Sequence, residues 1–506
     1  MRIALLLVLG FPLFLNAQTP KDHHAGSFAD SNRLKKIEKT FPIIEKLYKD
    51  FAEKNHYPGY AFGIVVDGKL VFKGAGGYAN LEEKIPATTK SLFRIASMSK
   101  SFTALAILHL RDQGKLRLDD PVEKYIPAMK GQGLTKDAPL ITIRHLMSHS
   151  AGFPEDNPWG DRQLQDTEKE LLDLIAKGLS FSNTPGVAYE YSNLGFAMLG
   201  YIIHKASGMY YSDYVKKYLL APLNMKQTTY EYSEVPKEVF AVGYRYIYEK
   251  WRKEVPLHDG IYGSMGGMIT SVEEFANYVA MHEAAWPERN DAETFPVKRS
   301  TIREMHDPSR FIGLNTASRL PNGKTLIATT SYTYGLNWLR DARGMVVIGH
   351  SGGLPGYGSN WRFLPEYGIG VIFFGNITYA PCSAMNLQIV DTLITMADLK
   401  PRLVGVSPIL AKRQKELIAV IPTWNSKPNI FAENFFDDYP IDILKDQSKK
   451  VFDEIGSIVS VGEMVAENQL RGYCIIHGSK KDARMYFTLS PENPALVQEY
   501  HLDVID

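Results

Sequence analysis

At 506 residues the chain is long enough for two or three domains and a large core. A formal net charge of +1 excludes the strong basic or acidic bias expected of a nucleic-acid or anionic-membrane binder. With 45% hydrophobic and 22% charged residues, the composition is that of an ordinary globular protein rather than a disordered or membrane chain.

The first residues, MRIALLLVLGFPLFLNAQTP, place one arginine before an apolar run from Ile3 to Leu15. That pattern predicts a signal peptide, residues 1–17, cleaved after Ala17, and hence export to a periplasm or the medium. No cysteine beside the cleavage site supports a lipid anchor, and no later segment is apolar enough to predict a membrane span. Apolar residues at Leu34, Ile37, Phe41, Ile44, Leu47 and Phe51 have helical spacing, with Pro42 as the expected kink. Two strands follow, 60–66 and 69–74, joined by Asp67-Gly68, a strong hairpin signal.

The next stretch, FRIASMSKSFTALAILHL, is apolar on nearly every face from Phe102 to Leu110, so it predicts a buried central helix, with Gly114 as its stop. Lys100 enters its first turn, where burial and the positive end of the helix dipole both disfavour an ammonium. Ser97 lies three residues earlier, on the same face. A hydroxyl needs a base to become a nucleophile, and a lysine that loses its proton easily can serve. One Ser-x-x-Lys match is weak alone.

From there to about residue 340 the pattern reads as helices and long loops. Strands return at 344–351, 359–364 and 369–375, followed by a helix over about 384–397. Strands near both ends with helices between predict one antiparallel sheet flanked by helices, with a helical insert, over a domain of residues 26–400. Residues 401–428 read as a linker with a short helix. Residues 429–506 read as a small α+β domain: a helix, then strands, on the alternation of Met485, Phe487 and Leu489 and of Leu496, Tyr500 and Leu502. Cys382 and Cys474 fall in different predicted domains and are expected to be two buried thiols rather than a disulfide.

Two further places complete a constellation. Tyr191 and Asn193 sit in YEYSNLGFAMLG at a loop-to-helix junction, and Asn193 is also a possible helix N-cap. His350, Ser351 and Gly352 end a strand in GHSGGLPGYGS, with Gly353 next. Ser-x-x-Lys, Tyr-x-Asn and His-x-Gly thus occur in order. In this the chain resembles the serine β-lactamase and penicillin-binding protein superfamily, in its class C-like branch. FRIASMSKSFTA, ITIRHLMSHSAGFP, YEYSNLGFAMLG, GSMGGMITS and GHSGGLPGYGS all look like segments of that family in family order, over roughly residues 30–400. The resemblance implies the β-lactamase/transpeptidase-like α/β (α+β) fold and a covalent acyl-enzyme formed on Ser97. It implies that Lys100 holds the serine's proton network. Tyr191 would be the base, its pKa lowered by Lys100, and Asn193 would orient Lys100 or bind a substrate amide. The amides of Ser97 and Gly353 would form the oxyanion hole. The substrate class is a small molecule or short peptide carrying an ester or amide, and no cofactor is implied. Where β-lactamases of this branch carry lysine in the third motif, this chain has His350, a weaker charge at neutral pH that disfavours carboxylate-bearing substrates.

The same residues admit rival readings. Gly349-His350-Ser351-Gly352-Gly353 fits Gly-x-Ser-x-Gly, which would make Ser351 an α/β-hydrolase nucleophile. That elbow needs a helix directly after the serine, and GGLPGYGS does not start one. A true class C-like β-lactamase is a second rival, and a non-catalytic peptide- or glycan-binding relative is a third. His282-Glu283 begins like His-Glu-x-x-His, but Trp286 stands where the second ligand would be, so no metal is expected. The second Tyr-x-Asn, Tyr78 to Asn80, and the second His-x-Gly, His258 to Gly260, read as surface turns. His145 and His149 read as structural.

Overall fold

In a computed structural model of the protein, residues 23–426 and 428–505 are described; the predicted signal peptide lies outside them. The described residues divide into two compact units, Asp30–Pro401 and a second formed by residues 23–29 with 402–505.

The larger unit is built on a nine-stranded antiparallel sheet. Its order runs 85–86, 69–80, 59–66, 369–375, 357–364, 346–354, 337–341, 325–332, 310–319. The amino-terminal hairpin therefore joins the carboxy-terminal strands: Gly59–Val66 pairs antiparallel with Ile369–Gly375, with Phe62 opposite Phe373. Asp67 and Gly68 turn that hairpin at φ of 51° and 76°, the left-handed geometry that an Asp-Gly pair favours. Three strands, Arg310–Arg319, Thr325–Tyr332 and Asn337–Asp341, occupy sequence that reads as helix and loop. The first is an edge strand with Phe311 and Leu314 exposed, so it lacks the apolar-in alternation that marks a half-buried strand.

Helices cover both faces. On one, Phe41–Lys54 and Cys382–Met396 bury Ile44, Tyr48 and Ile389 against the sheet, and Tyr48 stacks on Phe62 and Phe373 with ring centroids 4.5 and 5.0 Å apart. Pro42 does not kink a helix. The chain instead breaks at Lys39-Thr40, and Pro42 sits in the first turn of the second helix, where its missing N–H costs nothing. On the other face lie Val272–Ala284, the central helix Ser99–Asp112 and the helical insert. Every residue from Ser99 to Leu108 is buried, as the all-round apolar pattern requires. Among the described residues no helix is long and apolar enough to cross a membrane.

The smaller unit has its own core, a five-stranded sheet with helix Ile441–Ile455 packed on it. The stretch read as a linker, 401–428, instead supplies helix Pro408–Val420, and Leu410, Leu417, Ile421 and Trp424 are fully buried in that core. Both cysteines are buried and unpaired, one in each unit.

Candidate active site

Ser97 is placed by a short, heavily anchored segment. Phe93–Arg94 pairs with Ile269–Thr270, the Ile95 N–H donates to the Met268 carbonyl at 2.9 Å, and the Ile95 carbonyl accepts from Ser359 Oγ at 2.7 Å. Ala96 then adopts φ of +50°, a left-handed conformation uncommon for any residue with a side chain. Strain of this kind persists only where the surroundings over-determine it, and it clusters at functional sites. A 3-10 turn, Ala96–Met98, carries Ser97 into the central helix.

Lys100 is fully buried. Its ammonium donates to Ser97 Oγ at 3.0 Å, Asn193 Oδ1 at 2.7 Å and the Met265 carbonyl at 3.0 Å, so all three donors are used. Burial pulls its pKa down to about 7, against the opposing pull of the Asp161 and Asp156 carboxylates. An amine held near neutrality and bonded to a serine hydroxyl is a base–nucleophile pair.

Tyr191 lies beside both. Lys100 Nζ is 4.8 Å from its ring centroid, and the nearby Ser97 side chain pulls its pKa down slightly. The expected cation-lowered phenol is not what the site holds: burial pushes the Tyr191 pKa well above its ordinary value, so the phenol is protonated at rest. Asn193 is the first residue of helix Asn193–Ser207 rather than its cap. Ser192 caps the helix, its Oγ accepting from the Gly195 N–H at 3.1 Å, which leaves the Asn193 side chain to bridge Lys100 and Asn157.

The third motif lies on strand Val346–Leu354. A Cβ at Gly352 would fall 2.1 Å from the Ile95 carbonyl oxygen, so only glycine lets this strand lie against the Ser97 turn. Gly353 follows, with the Tyr379 ring packed on it. His350 is buried, its Nδ1 2.5 Å from the Ser351 carbonyl and its Nε2 2.9 Å from the Tyr332 hydroxyl. Those partners assign the proton to Nδ1. Burial, with Lys100 close by, lowers its pKa to about 3, so the ring is neutral at physiological pH. Ser351 accepts from Asn360 Nδ2 at 2.9 Å, and the strand runs past it into a hairpin, not a helix, so the elbow geometry is absent.

The spare motifs fall elsewhere. Tyr78–Asn80 ends a sheet strand instead of forming a surface turn, and the exposed His258 pairs with Glu231. His282 is buried against His306, Nδ1 to Nε2 at 2.7 Å. Sequence reasoning missed several residues. Asp156 accepts the Asn193 and Leu194 N–H groups at 2.7 and 2.8 Å. Asp161, almost fully buried, accepts from the Tyr379 hydroxyl at 2.9 Å, and burial raises its pKa to about 6. His149, read as structural, packs its ring 4.2 Å from that of Tyr191. Arg362, opposite Gly349 on the next strand, lines a cavity of about 450 Å³ with Ser351, Arg319 and Ser383. None of these carries a local motif; only the repeated acidic residues of the 155–161 loop hinted at a charged partner for Lys100.

Comparison with known proteins gives the family and the fold. A profile of the Beta-lactamase family matches residues 44–392. Penicillin-binding protein 4* of Bacillus subtilis (strain 168) is 30% identical over 331 residues, covering 62% of this chain and 67% of that protein. Protein flp of Staphylococcus aureus (strain MW2) is 26% identical over 362 residues, covering 69% and 66%. The match thus spans about two thirds of each relative. The octameric penicillin-binding protein homologue from Pyrococcus abyssi superposes with a TM-score of 0.59 at 23% identity, covering 91% of this chain and 99% of that one. The penicillin-binding protein from Bacillus halodurans gives 0.54 at 22%, covering 69% and 98%, a likeness of fold. With its three motifs in family order and the family profile matched over residues 44–392, the chain belongs to the β-lactamase family of serine acyl-enzyme hydrolases.

Proposed function

We propose that the protein is an exported hydrolase that cleaves an ester or amide through an acyl-enzyme on Ser97. The observation that carries this reading is the 3.0 Å contact between Ser97 Oγ and a lysine amine whose pKa burial brings to about 7. In the first step Ser97 Oγ attacks the substrate carbonyl, and its proton passes to the neutral Lys100 amine. Tyr191, protonated at rest, hands its own proton to the leaving oxygen or nitrogen and is reprotonated through Lys100. The carbon–leaving-group bond breaks and the acyl group stays on Ser97. Water then attacks, gives its proton to the same relay, and the Ser97–carbon bond breaks to release the acid. The Ser97 and Gly353 amides stabilise the oxyanion in both steps. The apolar run Ile3–Leu15 supports export.

Substrate choice turns on the third motif. A neutral His350 offers no charge to a carboxylate, which favours neutral esters and amides over penicillins. Arg362 favours a second reading, because its guanidinium lines the cavity beside Ser351 and can meet a carboxylate there. The test has two parts. An active-site serine reagent should add its mass to the protein and not to Ser97→Ala, while Ser351→Ala keeps the adduct; the reverse pattern overturns the reading, and no adduct with no turnover makes the protein a binder. The kcat/KM ratio of a short aryl ester to a chromogenic cephalosporin should favour the ester. Efficient cephalosporin turnover that Arg362→Gln abolishes would establish the second reading and a β-lactamase proper.

A further inference from the structure

A second cavity, of about 410 Å³, lies beside the Ser97 turn and has no part in the chemistry above. That volume suits a small ligand. Its walls are mostly apolar, with Leu164, Phe240, Val242, Leu257, Leu354 and Tyr357 among them. Leu354 ties it to the site. It directly follows Gly353, and its side chain and Ala96 both reach within 4 Å of where a Cβ on Gly266 would stand. The cavity is also lined by Arg94, three residues before Ser97, so the two Cα atoms are at most about 11 Å apart.

Arg94 is the feature that needs an explanation. Its side chain is 3% exposed. Nη2 donates to the Leu257 carbonyl at 2.7 Å, but Nη1 is buried with no hydrogen-bond partner. Glu231 and Asp259, the acids whose charge reaches it, are engaged elsewhere, and Glu254 on the cavity wall accepts from Arg245. Glu231 accepts from the backbone N–H groups of Ser233 and Asp259 and pairs with His258; Asp259 accepts from the Tyr211 hydroxyl. A buried guanidinium donor left unmet costs free energy unless a ligand completes it, and its geometry matches a carboxylate. We infer that this cavity is an acyl subsite: it takes an aliphatic acyl chain of about four to six carbons whose far end is a carboxylate held by Arg94, while its near carbonyl reaches Ser97. This rests on the acyl-enzyme reading above and names the acyl half of its substrate. The carboxylate concerned is on the acyl side, away from the third-motif position that His350 leaves neutral.

The experiment compares the 4-nitrophenyl monoester of adipic acid with 4-nitrophenyl hexanoate, esters of equal chain length that differ in the terminal carboxylate. The kcat/KM ratio should favour the adipate ester about tenfold, fall to near unity in Arg94→Gln, and be partly kept in Arg94→Lys. General damage to the fold lowers both substrates alike and leaves the ratio in place, so an unchanged ratio in Arg94→Gln overturns the inference. Val255 lines the cavity and is 80% exposed, so its variants should fold: Val255→Lys should raise the ratio and Val255→Glu lower it, and no response to either sign also overturns it. Calorimetric titration of Ser97→Ala with adipate separates this idea from the chemistry. Binding to Ser97→Ala that is lost in Ser97→Ala/Arg94→Gln upholds the subsite even if Ser97 proves not to be the nucleophile, whereas equal binding to both refutes it.

Discussion

At the scale of single residues, the site turns on how Lys100 is kept close to losing its proton. Its ordinary pKa would leave it charged and useless as a base at pH 7; burial brings the value to about 7, with Asp161 and Asp156 resisting. The kcat/KM profile for a neutral ester should therefore rise with pH through an apparent pKa near 7 and level off above it. Asp161→Asn removes a negative charge that favours the ammonium, so the limb should move to lower pH. A limb that stays put would separate Asp161 from the proton relay. Lys100→Ala should cost about 10²–10⁴-fold in kcat/KM while the protein melts normally, because the substitution also removes a buried charge. Undiminished turnover in a folded Lys100→Ala protein would exclude the amine as base. Ser97, Lys100, Tyr191 and Asn193 were singled out by the order of three short motifs and the family resemblance that order carries, since each motif alone is weak. The two aspartates were not: each acts through space, from a loop that reaches Lys100 only in the folded chain.

At the scale of elements, one strand and one helix pair carry the sharpest constraints. Strand Val346–Leu354 must lie against the Ser97 turn, and the atoms that would meet a Gly352 side chain are the Ile95 carbonyl oxygen at 2.1 Å and Ser359 Oγ at 2.4 Å. The Ile95 backbone cannot step aside, and Ser359 Oγ is hydrogen-bonded to it at 2.7 Å, so Gly352→Ala should push the strand away and lower turnover at least about 100-fold, since an ångström of misplacement suffices for that. The helix ending His282-Glu283-Ala284 holds a different constraint. Trp286 Nε1 donates to His306 Nδ1 at 3.0 Å, so His306 carries its proton on Nε2 and donates to His282 Nδ1. The pair is thus bonded as two neutral rings. Burial lowers the His282 pKa to about 3 and takes His306 well below its ordinary value. In the unfolded chain both rings take up protons near pH 6.5. Their contribution is intact above that pH and is lost as the pH falls toward 3, by about 1.4 kcal/mol per pH unit for each ring. Urea midpoints measured from pH 7.5 to 4.5 should fall accordingly, and His282→Gln should flatten the fall by close to one proton's worth; an equally steep profile in the variant would remove these histidines as the cause. Read as sequence, His282-Glu283 was a broken zinc motif, and its real partner, His306, lies 24 residues on with nothing local to announce it.

For the whole molecule, the sheet's outline was readable and its far edge was not. The Asp67-Gly68 turn gave away the amino-terminal hairpin, and the central strands Gly59–Val66, Tyr357–Leu364 and Ile369–Gly375 are buried at every position, so packing dictates their residue types. Arg310–Arg319 runs along the open edge, and its pattern follows no buried face. The smaller unit was misread at its start, where a helix flanked by prolines and lysines looked like a tether, and residues 26–29 fall in it rather than in the larger unit. Leu410, Leu417 and Trp424 are instead fully buried with Phe487 and Met485 in the core of residues 402–506. Every residue of the candidate site, from Ser97 to Gly353, lies within Asp30–Pro401, whose cores draw on that unit alone. A protein truncated to residues 30–401 should therefore unfold cooperatively and hydrolyse the aryl ester within a few-fold of the full chain, and residues 402–506 expressed alone should give a near-ultraviolet dichroism signal from the buried Trp424. If the truncated protein stays folded but loses turnover, the catalytic unit depends on residues 402–506 and the smaller unit takes part in handling substrate. If turnover survives, the chemistry is complete in the larger unit, and whatever the smaller one contributes is separate from breaking the bond.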